Sequence, residues 1–553
     1  MPKRQRYNIN NSVHWFMNEL TSRVVAESGN PNDRYHLGKV LLQSFKDDPD
    51  LVTMIDGGTG ESITNKEVLE RSVRCANSLK NLGLKTGDVI ILLGPNHINI
   101  SIPFYAGLYL GIAVAPVDRT FGVRELQETF RADEPKIVFC QNEKAHDVDT
   151  ALKGLNLDTK IITFDKGDYC NFSDFLKQYG GESKVEDFEV ANFDPSETIS
   201  FLVSTSGTTG LPKAAVVTHK NVISSFPYIW SKFDTFPAPT RLAVVVSPLQ
   251  WLTAIAMFLM SPIFRFTRLQ TSLALTQQHT YHLINTYRPS FLLISPTFAA
   301  TLFRPGDRDN CDFTCFDIIL IGGSAVPQTL IDEIKSIIPE TEVLNVYGLS
   351  ELSGVGLIHH FGDNAPRGSS GQPLGHTQCR LVNQDNEDIL EPNVPGELWV
   401  KSLGLFKGYY NNPVATAETF SEDGWFRTGD SFYRDDNWNF YFTERIKLLL
   451  KYRNNQISPL EVENVIRQHP GVFDVAVTGI PDRECGDIPV ACVVPKPGVS
   501  VKAQEIKDLV KASLSDDKQL RGGVIFLNEL PINANTKLNR RKLKEMVLVM
   551  ERE

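Results

Sequence analysis

A run of small, hydroxylated and basic residues follows the apolar stretch 199–203, where a strand is expected to give way to a loop. Glycine admits positive φ and close backbone approach, so several amide N–H groups of such a loop can point at one anion. The spacing differs from that of a Walker A loop. By itself the run is also typical of a solvated linker; its composition predicts a phosphate-binding loop. Its members are Ser204, Thr205, Ser206, Gly207, Thr208, Thr209, Gly210, Leu211, Pro212 and Lys213.

Five further blocks follow this run in order, and together the six resemble the adenylate-forming superfamily of acyl-CoA synthetases, luciferases and peptide-synthetase adenylation domains. The blocks are NVYGLSE (345–351), GELWVKS (396–402), GWFRTGD (424–430), ERIKLLLKYRNNQISPLEVE (444–463) and NANTKLNRRKLKE (533–545). The segments 451–463 and 517–531 are most similar to the insect luciferase-like acyl-CoA synthetase and 4-coumarate-CoA ligase-like branch.

The resemblance implies an α/β protein with a large N-terminal domain of stacked sheets, a small α+β C-terminal lid, and an active site between them. It also implies a reaction in two halves. A carboxylate attacks the α-phosphorus of ATP to give an acyl-adenylate and pyrophosphate, and the thiol of coenzyme A then attacks the acyl carbon and releases AMP. The small molecules implied are therefore a carboxylic acid, ATP, Mg²⁺ and coenzyme A. A fatty acid of medium or long chain is the expected acid.

By correspondence with the family, the loop 204–213 would bind the β- and γ-phosphates of ATP. Ser350 would hydrogen-bond the α-phosphate, and Glu351 would bind Mg²⁺, an ion that prefers oxygen ligands. Tyr347 would stack on adenine, and Asp430 would accept hydrogen bonds from the ribose hydroxyls. The other implied nucleotide contacts are Gly322, Gly323, Ser324, Asn345, Gly348 and Arg445. Taken singly, Tyr347 is also typical of a core aromatic residue and Asp430 of a turn.

Three lysines are implied to serve the lid. Lys447 corresponds to the hinge, Lys537 to the lysine that reaches the substrate carboxylate during adenylation, and Lys451 to a basic residue presented in the second half-reaction. Each lysine alone would be interpreted as a solvated surface residue. We predict an N-terminal AMP-binding domain at 1–443, a hinge at 444–447 and the lid at 448–553.

The chain departs from the family pattern at four positions, which leaves a catalytically impaired homologue open as an interpretation. Ala214 and Thr536 stand where glycine is usual, as does Asn454, while Gln250 lies in a segment where relatives carry aromatic residues and histidines.

The acyl pocket is expected to involve Trp251, Ser353 and Gly354. Trp251 is expected to follow a strand that ends at Pro248, at the carboxyl edge of a sheet. The small residues after Glu351 leave room for a long apolar or aromatic acyl group.

Composition agrees with a folded multidomain enzyme. The chain has 553 residues, of which 42% are hydrophobic and 22% charged, and a net charge of −10 argues against nucleic-acid binding. The eight cysteines are scattered, and the lone close pair, Cys311 and Cys315, is a weak metal signal. A monomer is expected.

Short apolar runs alternate with segments of helical period, which predicts an α/β fold with largely parallel, doubly covered sheets. The runs are 89–94, 113–117, 136–140, 290–295 and 317–323. A helix is predicted at 65–82, with Thr64 as N-cap and Gly83 as the stop signal. After residue 448 the pattern predicts a helix near 459–469, strands DVAVTGI, VACVVP and GVIFL, and a helix at 503–513.

The segment 242–264 carries no charge and is long enough to span a bilayer, but two prolines interrupt it, so a buried strand and helix fit better. The first residues lack an apolar stretch, which favours an intracellular, cytoplasmic location, and the ending Glu551-Arg552-Glu553 is not a Ser-Lys-Leu-like peroxisomal signal.

A luciferase is the second enzymatic alternative. Ser225, Trp251 and Thr253 differ in character from the Arg, His and Phe of the beetle luciferin pocket.

Overall fold

The computed structural model describes residues 12–30, 32–182, 184–205, 213–232, 241–452, 455–482, 486–514, 516–532 and 538–553. Strands in the first third of the chain are β1 (Val52–Asp56), β2 (Ser62–Thr64), β3 (Val89–Leu93), β4 (Ala113–Pro116), β5 (Ile137–Cys140), β6 (Lys160–Thr163) and β7 (Cys170–Asn171). The helices there are α1 (Ser12–Glu27), α2 (Leu37–Asp47), α3 (Asn65–Asn81), α4 (Ser101–Leu110), α5 (Val123–Asp133), α6 (Asn142–Gly154) and α7 (Phe172–Tyr179).

The middle of the chain continues the alternation and ends in antiparallel strands. Its strands are β8 (Ile199–Thr205), β9 (Lys213–Thr218), β10 (Leu242–Val244), β11 (Thr267–Gln270), β12 (Phe291–Ile294), β13 (Ile318–Gly322), β14 (Glu342–Leu349), β15 (Gly354–Ile358), β16 (Gln372–Pro373), β17 (Thr377–Val382), β18 (Gly396–Ser402), β19 (Phe426–Arg434) and β20 (Phe440–Arg445). Its helices are α8 (His219–Ser225), α9 (Pro227–Trp230), α10 (Leu252–Phe264), α11 (Gln277–Tyr287), α12 (Pro296–Leu302), α13 (Gln328–Ile337) and α14 (Pro413–Thr419).

The C-terminal part contains strands β21 (Leu450–Tyr452), β22 (Asn455–Ile457), β23 (Val472–Asp482), β24 (Gly486–Pro495) and β25 (Val524–Phe526), and helices α15 (Pro459–Ile466), α16 (Ala503–Ser513) and α17 (Arg540–Val549). The predicted strands and the helix at 503–513 are confirmed. The helix predicted near 459–469 stops at Ile466.

These strands form four sheets in the described part of the chain. Sheet 1 has the order β7-β6-β5-β3-β4-β8-β9 and is parallel apart from β9. Sheet 2 has the order β16-β15-β14-β13-β12-β10-β11-β1-β2, sheet 3 the order β17-β18-β19-β20, and sheet 4 the order β22-β21-β24-β23 with β25 paired to β24. Sheets 1 and 2 are the doubly covered α/β sheets that the apolar runs predicted.

Local sequence explains the clearest elements. The hydroxyl of Thr64 accepts a hydrogen bond from the backbone N–H of Glu67, and the Glu67 carboxylate accepts one from the N–H of Thr64, so α3 begins with a complete capping box. Gly83 adopts φ +96° directly after the helix, which few other residues tolerate. The predicted helix therefore begins and ends where its cap signals lie.

Both faces of sheet 1 are buried. Ile90 and Leu92 of β3 pack in the core shared with sheet 2, while Ile91 and Leu93 pack against α5 and α6 on the opposite face. Sheet 4 has separate cores, formed by residues from 450 onward. The chain thus has a large N-terminal α/β domain and a smaller C-terminal α+β domain, as predicted.

The segment 242–264 is a strand and a buried helix, as predicted, but β10 ends at Val244 rather than at Pro248. The side-chain amide of Asn96 donates to the carbonyl of Ser247 (2.8 Å) in place of a strand partner, and Pro248 has no N–H to offer a ladder. Across the described residues, no helix combines the length and apolar character that crossing a membrane requires.

Candidate active site

The carboxyl edge of sheet 2 gathers many of the predicted nucleotide contacts. Strands β12, β13 and β14 are adjacent and parallel, so their carboxyl ends meet at one edge, where open α/β sheets bind ligands. Gly322 ends β13 and residues 323–324 follow it. Residues 345–348 lie in β14, and a 3₁₀ turn, Ser350–Leu352, follows that strand directly. The structure therefore brings together Gly322, Gly323, Ser324, Asn345, Tyr347, Gly348, Ser350 and Glu351.

Two of these glycines are required by the approach of neighbouring strands. A Cβ at Gly348 would lie 2.3 Å from the carbonyl oxygen of Gly354 in β15, and a Cβ at Gly322 would lie 2.5 Å from the carbonyl oxygen of Val346. Both contacts are too close for any side chain. These glycines thus have a packing role in addition to the predicted nucleotide role.

The predicted phosphate loop joins the antiparallel strands β8 and β9. Ser204 pairs with Ala214 and Thr205 with Lys213, and the Thr205 hydroxyl donates to the carbonyl of Lys213 (3.1 Å). Ala214 lies in this regular strand, so alanine in place of the usual glycine is accommodated. The loop residues Ser206, Gly207, Thr208, Thr209 and Gly210 lie outside the described residues, and their roles stay predictions.

A tyrosine that the sequence did not indicate connects this hairpin to Glu351. The Tyr409 hydroxyl donates to Glu351 Oε1 (2.8 Å), and Lys213 Nζ lies 5.1 Å from the centroid of the Tyr409 ring. Burial, and then the negative charge of Glu351, raise the pKa of Tyr409, so the phenol stays a donor. A carboxylate and an ammonium therefore flank one phenol beside the predicted phosphate loop.

Strand pairing explains why Tyr409 reaches this place. The N–H of Tyr410 donates to the carbonyl of Ala214, and the N–H of Val216 donates to the carbonyl of Gly408. The segment 407–410 thus runs along the outer side of β9. Nothing in the local sequence around 409 signals this long-range pairing.

Asp430 forms a second polar group with Tyr347 and Arg445. Its carboxylate is 1% exposed, and Oδ2 accepts a hydrogen bond from the Tyr347 hydroxyl (2.8 Å). Arg445 Nε lies 2.9 Å from Oδ1, an ionic contact without hydrogen-bond alignment. Burial raises the pKa of Asp430, an effect that Arg445 and Tyr347 offset in part. Burial lowers the pKa of Arg445, but the charge of Asp430 reverses this, and the net shift is upward.

These contacts refine two predictions. The Tyr347 ring packs edge-on against Phe432, with centroids 4.8 Å apart, while its hydroxyl is engaged by Asp430. Both oxygens of Asp430 already have neighbours, so a ribose diol would share them or displace one partner.

Asn345 Nδ2 donates to Ser370 Oγ (3.2 Å), which places Ser370, another residue the sequence did not indicate, beside the predicted adenine edge.

The predicted acyl-pocket residues lie at the same sheet edge, Trp251 and Ser353 in loops and Gly354 as the first residue of β15. Trp251 is half-buried and immediately precedes α10, and its backbone N–H donates to the carbonyl of Pro248 (3.0 Å). Ser353 is fully buried with φ +53°, and its hydroxyl has no hydrogen-bond partner among the described residues. Gly354 has φ +148°, and a Cβ there would lie 3.9 Å from Phe226 Cε1. A buried hydroxyl and an aromatic ring thus flank this glycine.

The lid residues are described in part. Lys447 lies in a 3₁₀ turn, Ile446–Leu448, and Lys451 lies in β21, while their side chains are outside the description. Asn454, Thr536 and Lys537 lie outside the described residues altogether. Strand β20 extends to Arg445, so two residues of the predicted hinge at 444–447 belong to sheet 3.

Comparison with known proteins identifies the class. Residues 41–410 match the AMP-binding enzyme family, and residues 461–537 match the AMP-binding enzyme C-terminal domain. The chain belongs to the AMP-binding enzyme family and, with it, to the adenylate-forming superfamily that the six blocks resemble.

Individual relatives are similar over most of their length. The chain is 31% identical over 517 residues to luciferin 4-monooxygenase of Photuris pensylvanica, covering 91% of this chain and 93% of that protein. It is 26% identical over 501 residues to peroxisomal OPC-8:0-CoA ligase 1 of Arabidopsis thaliana, covering 89% and 90%. ATP-bound MatB from Rhodopseudomonas palustris has the same fold, with a TM-score of 0.82 at 22% identity over 93% of this chain and 99% of that chain.

Proposed function

We propose that this chain is an AMP-forming acid:CoA ligase that acts through an acyl-adenylate. The observation that carries the proposal is the arrangement of charge at the carboxyl edge of sheet 2. Lys213, Tyr409 and Glu351 form one connected group beside the phosphate loop, and Asp430, Tyr347 and Arg445 form another. The first group suits phosphates and a cation, and the second suits a nucleoside.

The first half-reaction joins two anions. A carboxylate oxygen of the acid forms a bond to the α-phosphorus of ATP while the bond from that phosphorus to the pyrophosphate oxygen breaks. Lys213 and the hydroxyls of the loop would neutralise charge on the departing pyrophosphate, and Lys537 would draw the carboxylate to the α-phosphate. Each well-placed donor of this kind typically contributes ~3 kcal/mol to transition-state stabilisation.

Glu351 fits a magnesium ligand. It is a carboxylate held by the Tyr409 hydroxyl at one oxygen, which leaves Oε2 for a hard cation that would neutralise phosphate charge. A second contact helps to hold the Glu351 carboxylate in place. The backbone N–H of Phe406 donates to the main-chain carbonyl of Glu351 (2.8 Å), which connects the 3₁₀ turn to the segment that carries Tyr409.

The second half-reaction would transfer the acyl group to coenzyme A. The thiolate sulfur bonds to the acyl carbon, and the bond from that carbon to the AMP oxygen breaks. We infer that the C-terminal domain turns about residues 446–449 between the two halves and presents Lys451 in place of Lys537. The position of these residues just after β20 supports this inference.

For the acid we propose a fatty acid of medium or long chain. The small residues Ser353, which is buried, and Gly354, which is half-buried, lie next to Phe226 and support an apolar tunnel with one hydroxyl at its wall. The similarity to OPC-8:0-CoA ligase 1 is consistent with an acid that carries an alkyl chain. Acyl-CoA formation across short, medium and long fatty acids and cinnamates tests this directly.

Lys537 provides the sharpest test of the mechanism. We expect Lys537→Ala to lower ATP–pyrophosphate exchange by at least a hundredfold, because its cation acts in the adenylation transition state. Transfer from preformed acyl-adenylate to coenzyme A should remain within a few-fold of wild type. Lys542→Ala, on the exposed face of α17, is the matched control. Equal losses in both half-reactions would contradict the assignment of Lys537.

A luciferase is the second candidate, which the 31% identity to luciferin 4-monooxygenase favours. One contact weighs against it: the hydroxyl of Ser225, at a predicted luciferin-pocket position, donates to the Asn221 carbonyl within its own helix (2.7 Å). Light emission with luciferin, ATP and oxygen would support the luciferase. Absence of exchange with every acid tested would instead indicate a catalytically impaired homologue.

A further inference from the structure

A cavity of about 730 Å³ lies away from the residues of the candidate active site. It opens where the carboxyl ends of two sheets converge. His97 follows β3, Gln141 follows β5, and Asp165 follows β6 of sheet 1, while Asp56 ends β1 of sheet 2. Its volume is within the range of small-molecule sites.

The topology of sheet 1 singles out this place. The parallel strands β3 to β7 do not lie in chain order: across the sheet they follow one another as β4, β3, β5, β6, β7. Helix α4 packs on one face of the sheet, and helices α5 and α6 pack on the other. The order in which strands are added to the sheet therefore reverses between the neighbouring strands β3 and β5. Open α/β sheets bind ligands at such a reversal, outside the carboxyl ends of the strands. His97 and Gln141 stand on either side of it.

The lining contains polar groups without partners. His97 is 9% exposed, and its Nε2 has no hydrogen-bond partner among the described residues; the same is true of Gln141 Oε1. Both groups lie close to Gly94, where a Cβ would be 3.7 Å from His97 Nε2 and 4.0 Å from Gln141 Cγ. Burial lowers the pKa of His97 to about 4, so the imidazole is neutral near pH 7. Buried polar atoms without partners are costly, and a ligand that satisfies them would be favoured.

The charge of the lining indicates the chemistry of that ligand. The carboxylates are Asp56, Glu61, Glu67, Glu70 and Asp165, and the one guanidinium is Arg71, which gives five negative charges against one positive. Arg71 donates to Asn99 Oδ1, so its position is already set. In the described part of the chain, no set of three or more His, Cys, Asp or Glu side chains is arranged to hold a metal ion. An elongated organic cation with several N–H donors fits both the charge and the unpaired acceptors.

We propose that this cavity is a binding site for an alkyl polyamine, separate from the nucleotide site. The carboxylates Glu70 and Asp165 would pair with ammonium groups, and Gln141 Oε1 and His97 Nε2 would accept hydrogen bonds from N–H groups. Asp165 uses Oδ1 to accept from the N–H of Asn142 (2.6 Å), which holds the carboxylate in place.

Calorimetric titration of the full chain with spermidine tests the site. We expect saturable binding of one spermidine, with putrescine weaker by severalfold because it offers fewer ammonium groups. The double variant Glu70→Gln, Asp165→Asn should weaken spermidine binding at least tenfold and leave pyrophosphate exchange unchanged. Glu422→Gln, an exposed carboxylate distant in sequence from the cavity, is the control and should bind as wild type does.

A second measurement uses the wild-type chain alone. A carbodiimide activates a carboxyl group, which then forms an amide with a bound amine as the activating group leaves as a urea. Peptide mass spectrometry should find spermidine attached to Glu70 or Asp165 well above Glu422. Non-saturable titration, equal weakening in the control variant, or uniform coupling over surface carboxylates would each overturn the proposal.

Discussion

Glu351 owes its position to a side chain far away in the sequence. The Tyr409 hydroxyl donates to Oε1, and the Phe406 N–H donates to the main-chain carbonyl of the same residue. A hydrogen bond to a charged acceptor contributes about 1.5–3 kcal/mol when it is sheltered from water. Tyr409 therefore acts as a positioning residue for the predicted metal ligand.

Tyr409→Phe tests this role. Loss of one hydrogen bond to a half-buried carboxylate should lower kcat/KM for pyrophosphate exchange about tenfold, or about 1.4 kcal/mol. The Mg²⁺ concentration needed for half-maximal rate should rise, which a merely structural residue would not change. Tyr410→Phe is the control, since Tyr410 bonds Ala214 through its backbone. The same rate loss in both variants, with unaltered Mg²⁺ dependence, would contradict the role of Tyr409.

Trp251 is the other single residue whose role can be tested. It is half-buried at the N-cap position of α10. Truncation of Trp251 to alanine should therefore lower the free energy of unfolding by less than the ~3–5 kcal/mol expected for a fully buried indole. If Trp251 bounds the acyl tunnel, Trp251→Ala shifts the acyl-CoA formation profile toward longer or bulkier acids. Trp15→Ala, at an indole 65% exposed, should leave the profile as it is. A lower melting temperature with an unchanged profile would make Trp251 structural.

At the scale of elements, α5 ends in a way that conflicts with its dipole. Its last residue is Asp133, and the C-cap Glu134 adopts the left-handed region with φ +44°. The C-terminus of a helix carries a partial negative charge, so acidic residues there are unfavourable. Asp133 is also only 4% exposed, and burial raises its pKa from 3.8 to about 7.

This pKa predicts a specific pH dependence. Because the folded pKa lies above the unfolded value, the carboxyl contributes stability below about pH 4, and that contribution is lost as the pH rises toward 7. Asp133→Asn should therefore match wild type near pH 4 and exceed it at pH 8 by on the order of 2–4 kcal/mol. Urea unfolding at pH 4, 6 and 8 measures the difference, with Glu134→Gln as control. A difference that is constant over pH would show that Asp133 does not titrate in this range.

At the scale of the whole molecule, Glu444 links the two domains. It belongs to β20 of sheet 3 and is 4% exposed, yet its Oε2 accepts hydrogen bonds from the Ser458 hydroxyl (3.1 Å) and the Leu460 N–H (2.9 Å) at the start of α15. A carboxylate at a helix N-terminus is favourable. Rotation of the C-terminal domain about residues 446–449 would break both bonds, so Glu444 stabilises the orientation seen here.

Glu444→Ala should loosen that orientation. We expect trypsin to cleave after Arg445 and Lys447 several times faster than in wild type, because the segment loses its anchor to α15. The ratio of thioester formation to adenylation should change as well. Glu422→Ala, at an exposed position in the N-terminal domain, should be cleaved like wild type. Unchanged cleavage in Glu444→Ala would mean that the orientation rests on other contacts.

Local sequence by itself determined the elements whose signals are contiguous. The capping box at Thr64 and Glu67 set the start of α3, and β-rich runs such as 89–94 and 317–323 set the parallel strands. The ordered blocks determined the family, because six motifs in order are far more specific than any one loop. Where the signal was interrupted, as after Val244, the prediction of the strand end was wrong.

Tertiary structure alone decided which distant residues meet. The Tyr409–Glu351 bond joins residues 58 apart in sequence, and the Tyr347–Asp430 bond joins residues 83 apart. Glu444 caps a helix of the other domain, and the cavity beside His97 forms only where two sheets converge. The physical reason is that periodicity and capping act within a few residues of the chain, whereas strand pairing and sheet packing bring side chains together from any distance along it.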